Sequence, residues 1–204
     1  MVKKEMKNIK EFDDNKIEEG IKLVLTGLGL DLKDENLRET PKRVMKSYHE
    51  ILGGLINTDI RATEILNKAF PSNYHGMVTI GPIKVYSMCP HHFLPIQYSI
   101  YVAYIIKDKN VGLSKLPRLV ELLAQRPVMQ EVLTQDIVDY IEKILHPRGS
   151  AVVVKGIHGC MSCRGVKKSD AITTTSAMNG FFRENIATKE EFLTFVKING
   201  TGLK

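Results

Sequence analysis

The period of the hydrophobic pattern changes along this chain, and that change constrains its fold more than any other feature. Before about residue 75 apolar residues recur at helical spacing. Ile17, Ile21, Val24, Leu25 and Leu28 share one face that ends at Gly27 and Gly29, and Val44, Tyr48, Ile51, Leu52 and Leu55 share another. Thr40 is expected to cap the second helix, with Pro41 in its first turn, where a missing N–H costs nothing, and Gly53-Gly54 weakening its end. Asp31 to Glu39 reads as a loop.

From Met77 the texture turns to strands. Met77 to Tyr86 is rich in Val and Ile around an expected Gly81-Pro82 turn, and Gln97 to Ile106 alternates, with Ile100, Val102, Tyr104 and Ile106 on one face. Helical spacing then returns in Leu116, Leu119, Val120 and Leu123, and after Pro127 in Leu133, Ile137, Ile141, Ile144 and Leu145, closed by Pro147 and Gly149. Ala151 to His158 and Asp170 to Met178 are two further strand candidates. A terminal helix is predicted from Thr188 to Lys197, with Glu191 three residues after its cap. Strand, strand, helix pair, strand, strand is an α+β order, with the helices on one face of an antiparallel sheet and a helical segment ahead of it.

With 204 residues the chain is long enough to bury a core of its own, and 43% hydrophobic against 25% charged residues excludes a disordered or fibrous chain. Its longest apolar runs fall far short of the roughly 20 residues that span a bilayer. The charged start Met1-Val2-Lys3-Lys4-Glu5 is followed by no apolar leader, so a cytoplasmic protein without membrane association is expected. The net charge of +6 comes from scattered Lys and Arg without Trp or interleaved aromatics, which argues against a nucleic-acid platform.

Three cysteines are too few and too odd for a disulfide framework, so their chemistry is either metal binding or reactivity. Cys89-Pro90-His91-His92 follows a predicted strand and sets Cys89 and His92 at C-x-x-H spacing, where one tight turn can direct both to one ion. Cys160 follows another predicted strand, two residues after His158. Cys89, His92 and Cys160 would make a Cys₂His set with one position open to water, the arrangement of a catalytic zinc. Cys160-Met161-Ser162-Cys163 is itself a CxxC, however, and adding Cys163 would close the site into a structural one. On spacing alone the two layouts stand level. His91 and His158 adjoin these ligands and are candidates for proton transfer, whereas His49, His75 and His146 read as surface residues.

A second group suits an anion. Gly112-Leu113-Ser114-Lys115-Leu116-Pro117-Arg118 runs from a loop into a helix, where the helix N-terminus, a hydroxyl and two cations could surround a phosphate. Arg43 and Arg164 are further candidate cations. In Gln130-Glu131, a carboxylate could accept paired hydrogen bonds from a guanine edge.

Six separated motifs together resemble the GTP cyclohydrolase I family over nearly the whole chain. They are Glu39 to Val44, Cys89 with His91-His92, Gly112 to Arg118, Ala124 to Pro127 with Gln130-Glu131, His158-Gly159-Cys160 with Arg164-Gly165, and Thr175-Ser176 through Gly180, Phe182 and Arg183. The resemblance implies a zinc enzyme that opens the imidazole ring of GTP, releases C8 as formate and recloses the product as 7,8-dihydroneopterin triphosphate, the first step of tetrahydrofolate and pterin synthesis. It implies Cys89, His92 and Cys160 as zinc ligands, with Cys163 outside the site, and His158 and His91 as proton-transfer groups. The triphosphate would fall to Arg43, Ser114, Lys115, Arg118 and Arg164, and the guanine to Gln130 and Glu131. It further implies a tunnelling fold (T-fold) over residues 76–204 behind an N-terminal helical segment, residues 1–75. The implied assembly is a decamer of two pentamers with sites at subunit interfaces. Two positions depart from the family: Pro90 stands where an acidic residue is usual, and Ile96-Gln97-Tyr98 where a glycine tends to occur.

Overall fold

The computed structural model describes residues 9–200; the charged start read above, Met1 to Glu5, lies outside them. Two helices open the chain, α1 (Asp14–Gly27) and α2 (Thr40–Ile51). The Asp13 carboxylate caps α1 by accepting the Lys16 N–H at 3.1 Å, and Gly29 takes up a left-handed φ of 80° just past its end. No residue of α1 is fully buried. It lies against α2, where His49, on the surface as expected, bonds Asp14 at 2.6 Å. Thr40 is the first residue of α2 rather than its cap, and its hydroxyl donates to the Asn36 carbonyl.

After a short 3₁₀ turn comes α3 (Thr58–Leu66), a helix the periodicity did not reveal, because a nine-residue segment carries too few turns for a stripe. Next are β1 (Ala69–Pro71), β2 (Met77–Met88), β3 (Pro95–Ile105) and β4 (Lys109–Val111). The expected Gly81-Pro82 turn is instead a bulge within one continuous β2, where pairing with β3 shifts between Ile80 and Ile83. The helix pair is α4 (Lys115–Ala124) and α5 (Gln130–Leu145); β5 (Gly149–His158), the short turn α6 (Gly159–Ser162), β6 (Thr173–Gly180), α7 (Phe181–Glu184) and α8 (Ile186–Ile198) complete the chain. Helix α8 starts two residues before Thr188. Its cap is Asn185, whose side chain accepts the Thr188 N–H at 3.0 Å.

The main sheet is antiparallel in the order β2-β3-β5-β6. Because side chains alternate along a strand, Ile96, Tyr98, Ile100, Val102 and Tyr104 share one face of β3 and pack with Val152 and Val154 of β5. That face meets Leu116, Leu119, Val120 and Leu123 of α4 and Leu133, Ile137 and Ile141 of α5, all fully buried. Each such side chain contributes about 1.5–3 kcal/mol through burial. The opposite face carries a smaller cluster, in which Tyr101, Ala103, Ala151 and Val153 receive Phe182 of α7 and Phe192 and Val196 of α8.

The link between α4 and α5 is held by Arg126, 2% exposed. Its guanidinium donates to Asp136 at 2.7 Å and to the Leu123 carbonyl at 2.8 Å. The Arg126 carbonyl accepts from buried Ser87 at 3.0 Å, and Met88 forms a β-bridge with Pro127. The end of β2 is thereby fastened to the α4–α5 link immediately before Cys89.

Candidate metal centre

Cys89 to Leu94 form a tight turn between β2 and β3. The Cys89 N–H donates to the Leu94 carbonyl at 2.8 Å and the Phe93 N–H to the Cys89 carbonyl at 2.9 Å, with Phe93 at a left-handed φ of 53°. This closure turns Cys89 and His92 together, so that Sγ and Nδ1 lie 3.6 Å apart. Opposite the turn, register pairs Ile96 with His158, so β5 ends beside the start of β3. Gly159 passes so close to Pro95 that an added Cβ would lie 2.6 Å from its carbonyl oxygen. The α6 turn that follows presents Cys160. The ligand atoms of Cys89, His92 and Cys160 all lie within 4.8 Å of one another.

The donor set fits zinc. Tetrahedral bonds of about 2.3 Å to sulfur and 2.0 Å to nitrogen would set S and N about 3.5 Å apart, close to the 3.6 Å between Cys89 and His92. Burial holds the Cys160 thiol above its ordinary pKa, and the hydrogen bond with Cys89 adds to the rise. A bound cation would reverse that preference, because a coordinating thiol is deprotonated. Cys163 is not in the group; it is exposed, and its thiol donates to the Gly159 carbonyl at 2.9 Å.

His158 stands beside the centre with its Nε2 2.8 Å from Gln130 Oε1. The Gln130 amide nitrogen faces only acceptors and a hydroxyl: the carbonyls of Val154 and Thr173 and Thr175 Oγ1, each at 3.1 Å. Two carbonyls can only accept, so Oε1 is the atom turned to His158, and His158 must donate from Nε2. Neutral His158 therefore keeps its lone pair on Nδ1. Burial lowers its pKa from the ordinary histidine value, with the Glu131 carboxylate opposing.

Gln130 itself is 2% exposed, and both ends of its amide are engaged, the oxygen with His158. Thr134 completes this support, with its hydroxyl 2.6 Å from that of Thr175. Glu131 follows in the first turn of α5 and is exposed. Tyr98, the last residue of the departing Ile96-Gln97-Tyr98 stretch, belongs to the same neighbourhood. Its ring meets His158 edge-on at 6.0 Å, it is fully buried, and its hydroxyl has no partner. Gly156 leaves the space: a Cβ there would lie 2.5 Å from Gln130 Oε1 and 2.7 Å from the Tyr98 ring.

The remaining expected site residues occupy other elements. His91 is exposed, its ring 6.3 Å from that of His92. Arg43 is exposed on α2, whose Tyr48 touches Phe93 of the Cys89 turn at 5.9 Å between ring centroids. Ser114 precedes α4 without making a side-chain cap, which leaves its hydroxyl available, and Lys115 begins the helix. Arg118 lines a cavity of about 450 Å³ with Arg61, Glu64, Ile65, Glu121 and Gln125, between α3 and α4. None of the three metal-group residues lines that cavity. Arg164 is exposed, four residues after Cys160.

Fold and site together define an α+β protein with a Cys₂His group able to hold a metal beside a tautomerically fixed histidine. The chain belongs to the GTP cyclohydrolase I family, whose model matches residues 17–197. The GTP cyclohydrolase 1 of Pelotomaculum thermopropionicum is 44% identical over 187 residues, covering 91% of this chain and 98% of that one. That of Aquifex aeolicus is 43% identical over 185 residues, with 91% and 97% covered, and that of Chlorobaculum tepidum 46% over 174 residues, with 85% and 76% covered. The crystal structure of the archaeosine synthase QueF-Like in the apo form covers 53% of this chain and 96% of that one. Its TM-score of 0.40 and 15% identity are too low to bear on fold or function.

Proposed function

We propose that this chain is a zinc-dependent GTP cyclohydrolase I, opening the imidazole ring of GTP, releasing formate and yielding 7,8-dihydroneopterin triphosphate. The observation that carries this is the convergence of Cys89, His92 and Cys160 within 4.8 Å in a chain of that family. Bound zinc would supply a hydroxide at neutral pH through its fourth position, because coordination lowers the pKa of water toward 7. Cys89, His92 and Cys160 would hold the metal, and Cys163, turned to the Gly159 carbonyl, stands outside that set. His158 takes and returns the proton at Nδ1, with Nε2–H held by Gln130. His91 is a second proton-transfer group at the exposed rim.

Glu131 and Gln130 bind the guanine, Glu131 accepting from its edge, while the Gln130 amide also orients His158. Arg43, Ser114, Lys115, Arg118 and Arg164 bind the triphosphate, whose remote binding energy holds C8 at the metal. These groups are spread over α2, α4 and the segment after α6, which supports a pocket shared between subunits of a homodecamer of two pentamers. Both outer strands of the main sheet, β2 and β6, pair with a strand on one side only among the described residues, apart from the Met88–Pro127 bridge, and α1 exposes Leu23 and Val24, with Leu28 exposed just past its end. An N-terminal helical segment, residues 1–75, a catalytic T-fold domain, residues 76–204, and a cytoplasmic place at the entry to tetrahydrofolate and pterin synthesis complete the reading. No described helix is long and apolar enough to cross a membrane.

The test is turnover of GTP by zinc-loaded protein with identification of the product by mass. Formate and a pterin that fluoresces after oxidation are expected. Unchanged GTP overturns the proposal, and a ring-opened formamide as end product would place the chain's chemistry one step earlier.

A further inference from the structure

The CxxC that the metal group leaves half unused points to a second chemistry. Cys160 and Cys163 lie on one helical turn, since the Cys163 N–H donates to the Gly159 carbonyl at 3.0 Å and the intervening residues are helical. Helix geometry, with a rise of 1.5 Å per residue on a radius of about 2.3 Å, puts Cα atoms three residues apart at about 5 Å. That falls inside the roughly 4.4–6.8 Å that a disulfide spans. Cys163 is exposed while Cys160 is partly covered, so an oxidant in solution reaches Cys163 more readily. Its present hydrogen bond to Gly159 is a weak thiol contact, which a rotation about χ1 gives up at small cost.

We propose that Cys160 and Cys163 are an oxidation site for hydroperoxides, at which disulfide formation withdraws a sulfur from the metal group. The Cys163 sulfur attacks the O–O bond, becomes sulfenic acid and releases an alcohol, or water when the oxidant is hydrogen peroxide. The Cys160 sulfur then displaces the sulfenic oxygen as water, forming the S–S bond. Two thiols and one hydroperoxide become one disulfide, one alcohol and one water; each sulfur loses one electron and the O–O bond takes both. The disulfide sulfur of Cys160 no longer carries a ligand charge, so Cys89 and His92 are left as two ligands and the cation leaves. A dithiol reductant reverses the step and restores the set.

This rests on the metal-binding reading of Cys89, His92 and Cys160, and its test reads metal and covalent state rather than turnover. Reduced full-length protein is loaded with zinc, freed of excess metal and treated with hydrogen peroxide in the presence of a chromogenic chelator. Trypsin cleavage after Lys155 and Arg164 puts both thiols in the peptide 156–164. The expected results are zinc release, a peptide lighter by two hydrogens that resists alkylation, and recovery of zinc binding after dithiothreitol and fresh zinc. Cys163→Ser should release zinc roughly tenfold more slowly, because the accessible sulfur is gone. Equal release from Cys163→Ser overturns the proposal, as does a peptide 156–164 that stays alkylatable while zinc departs. Reduced protein that takes up no zinc overturns the metal-centre reading as well, so the two failures are told apart.

Discussion

His158 Nε2 lies 2.8 Å from Gln130 Oε1, and the two carbonyls at the other end of the Gln130 amide fix which of its atoms faces the imidazole. A glutamine on the first turn of α5 thus chooses the tautomer of a histidine at the end of β5. Replacing it by methionine keeps the volume and removes the acceptor. Gln130→Met should lower kcat by about 10–100-fold, the usual effect of removing a group that orients a metal-site residue, while zinc content stays stoichiometric. Steady-state kinetics on metal-quantified protein checks this; an unchanged kcat would remove Gln130 from the mechanism.

Gly156 should tolerate almost nothing larger. In Gly156→Ala the added methyl meets Gln130 Oε1 and the Tyr98 ring, both well below contact distance. A stability loss of about 1–3 kcal/mol is expected from the overpacking, with a fall in kcat because Gln130 is displaced. Adding Tyr98→Ala should recover part of the kcat by opening the crowded side, which a double-mutant cycle in urea and in turnover measures.

Tyr98→Phe isolates the unpartnered hydroxyl. A buried polar group without a partner costs about 1–3 kcal/mol, so its removal should leave the metal-free protein as stable or more stable. Thermal unfolding decides the point. A lower Tm in the zinc-loaded form alone would reveal a partner that arrives with the metal.

The Arg126–Asp136 pair predicts a large effect far from any ligand. Arg126 is buried, so Asp136→Asn strands its charge and should destabilise by about 3 kcal/mol, the low end for a buried pair because the carboxylate is 26% exposed. Since the Arg126 backbone also holds Ser87, weaker zinc retention should accompany the lower Tm. Full stability in Asp136→Asn would show that the guanidinium finds another partner.

Among the ligands, Cys160→Ser should abolish zinc retention through dialysis, whereas Cys163→Ser should retain it, because only the former belongs to the converging group. Metal analysis of the two variants is sufficient. Loss from both would reinstate the four-ligand, closed layout.

Much of this architecture was legible because long segments repeat one period. The Leu133 to Leu145 stripe and the alternation along β3 each span enough residues to distinguish 3.6 from 2. Short elements carried no such signal, hence the missed α3, β1 and β4. The Gly81-Pro82 pair misled for a different reason: it reads as a turn, yet pairing with β3 on both sides absorbs it as a bulge. At the site, spacing left Cys163 undecided and only its orientation toward Gly159 separates it from the group. The hydrogen bond from His158 to Gln130 is not legible in the sequence, because nothing local tells that an amide will lie under a histidine 28 positions later. Ile96-Gln97-Tyr98 stands where a glycine tends to occur, while the burial of Tyr98 beside His158 depends on the empty space at Gly156.

The pairing of Ile96 with His158 has a consequence for quality control. A slip of one residue between β3 and β5 would send His158 through to the side of Phe182 and Phe192 and bring Ile157 to the metal side, inverting the apolar faces at the same stroke. Mispaired molecules would therefore be both unstable and inert, and turnover per mole of chain becomes a direct census of correctly paired sheets in any preparation.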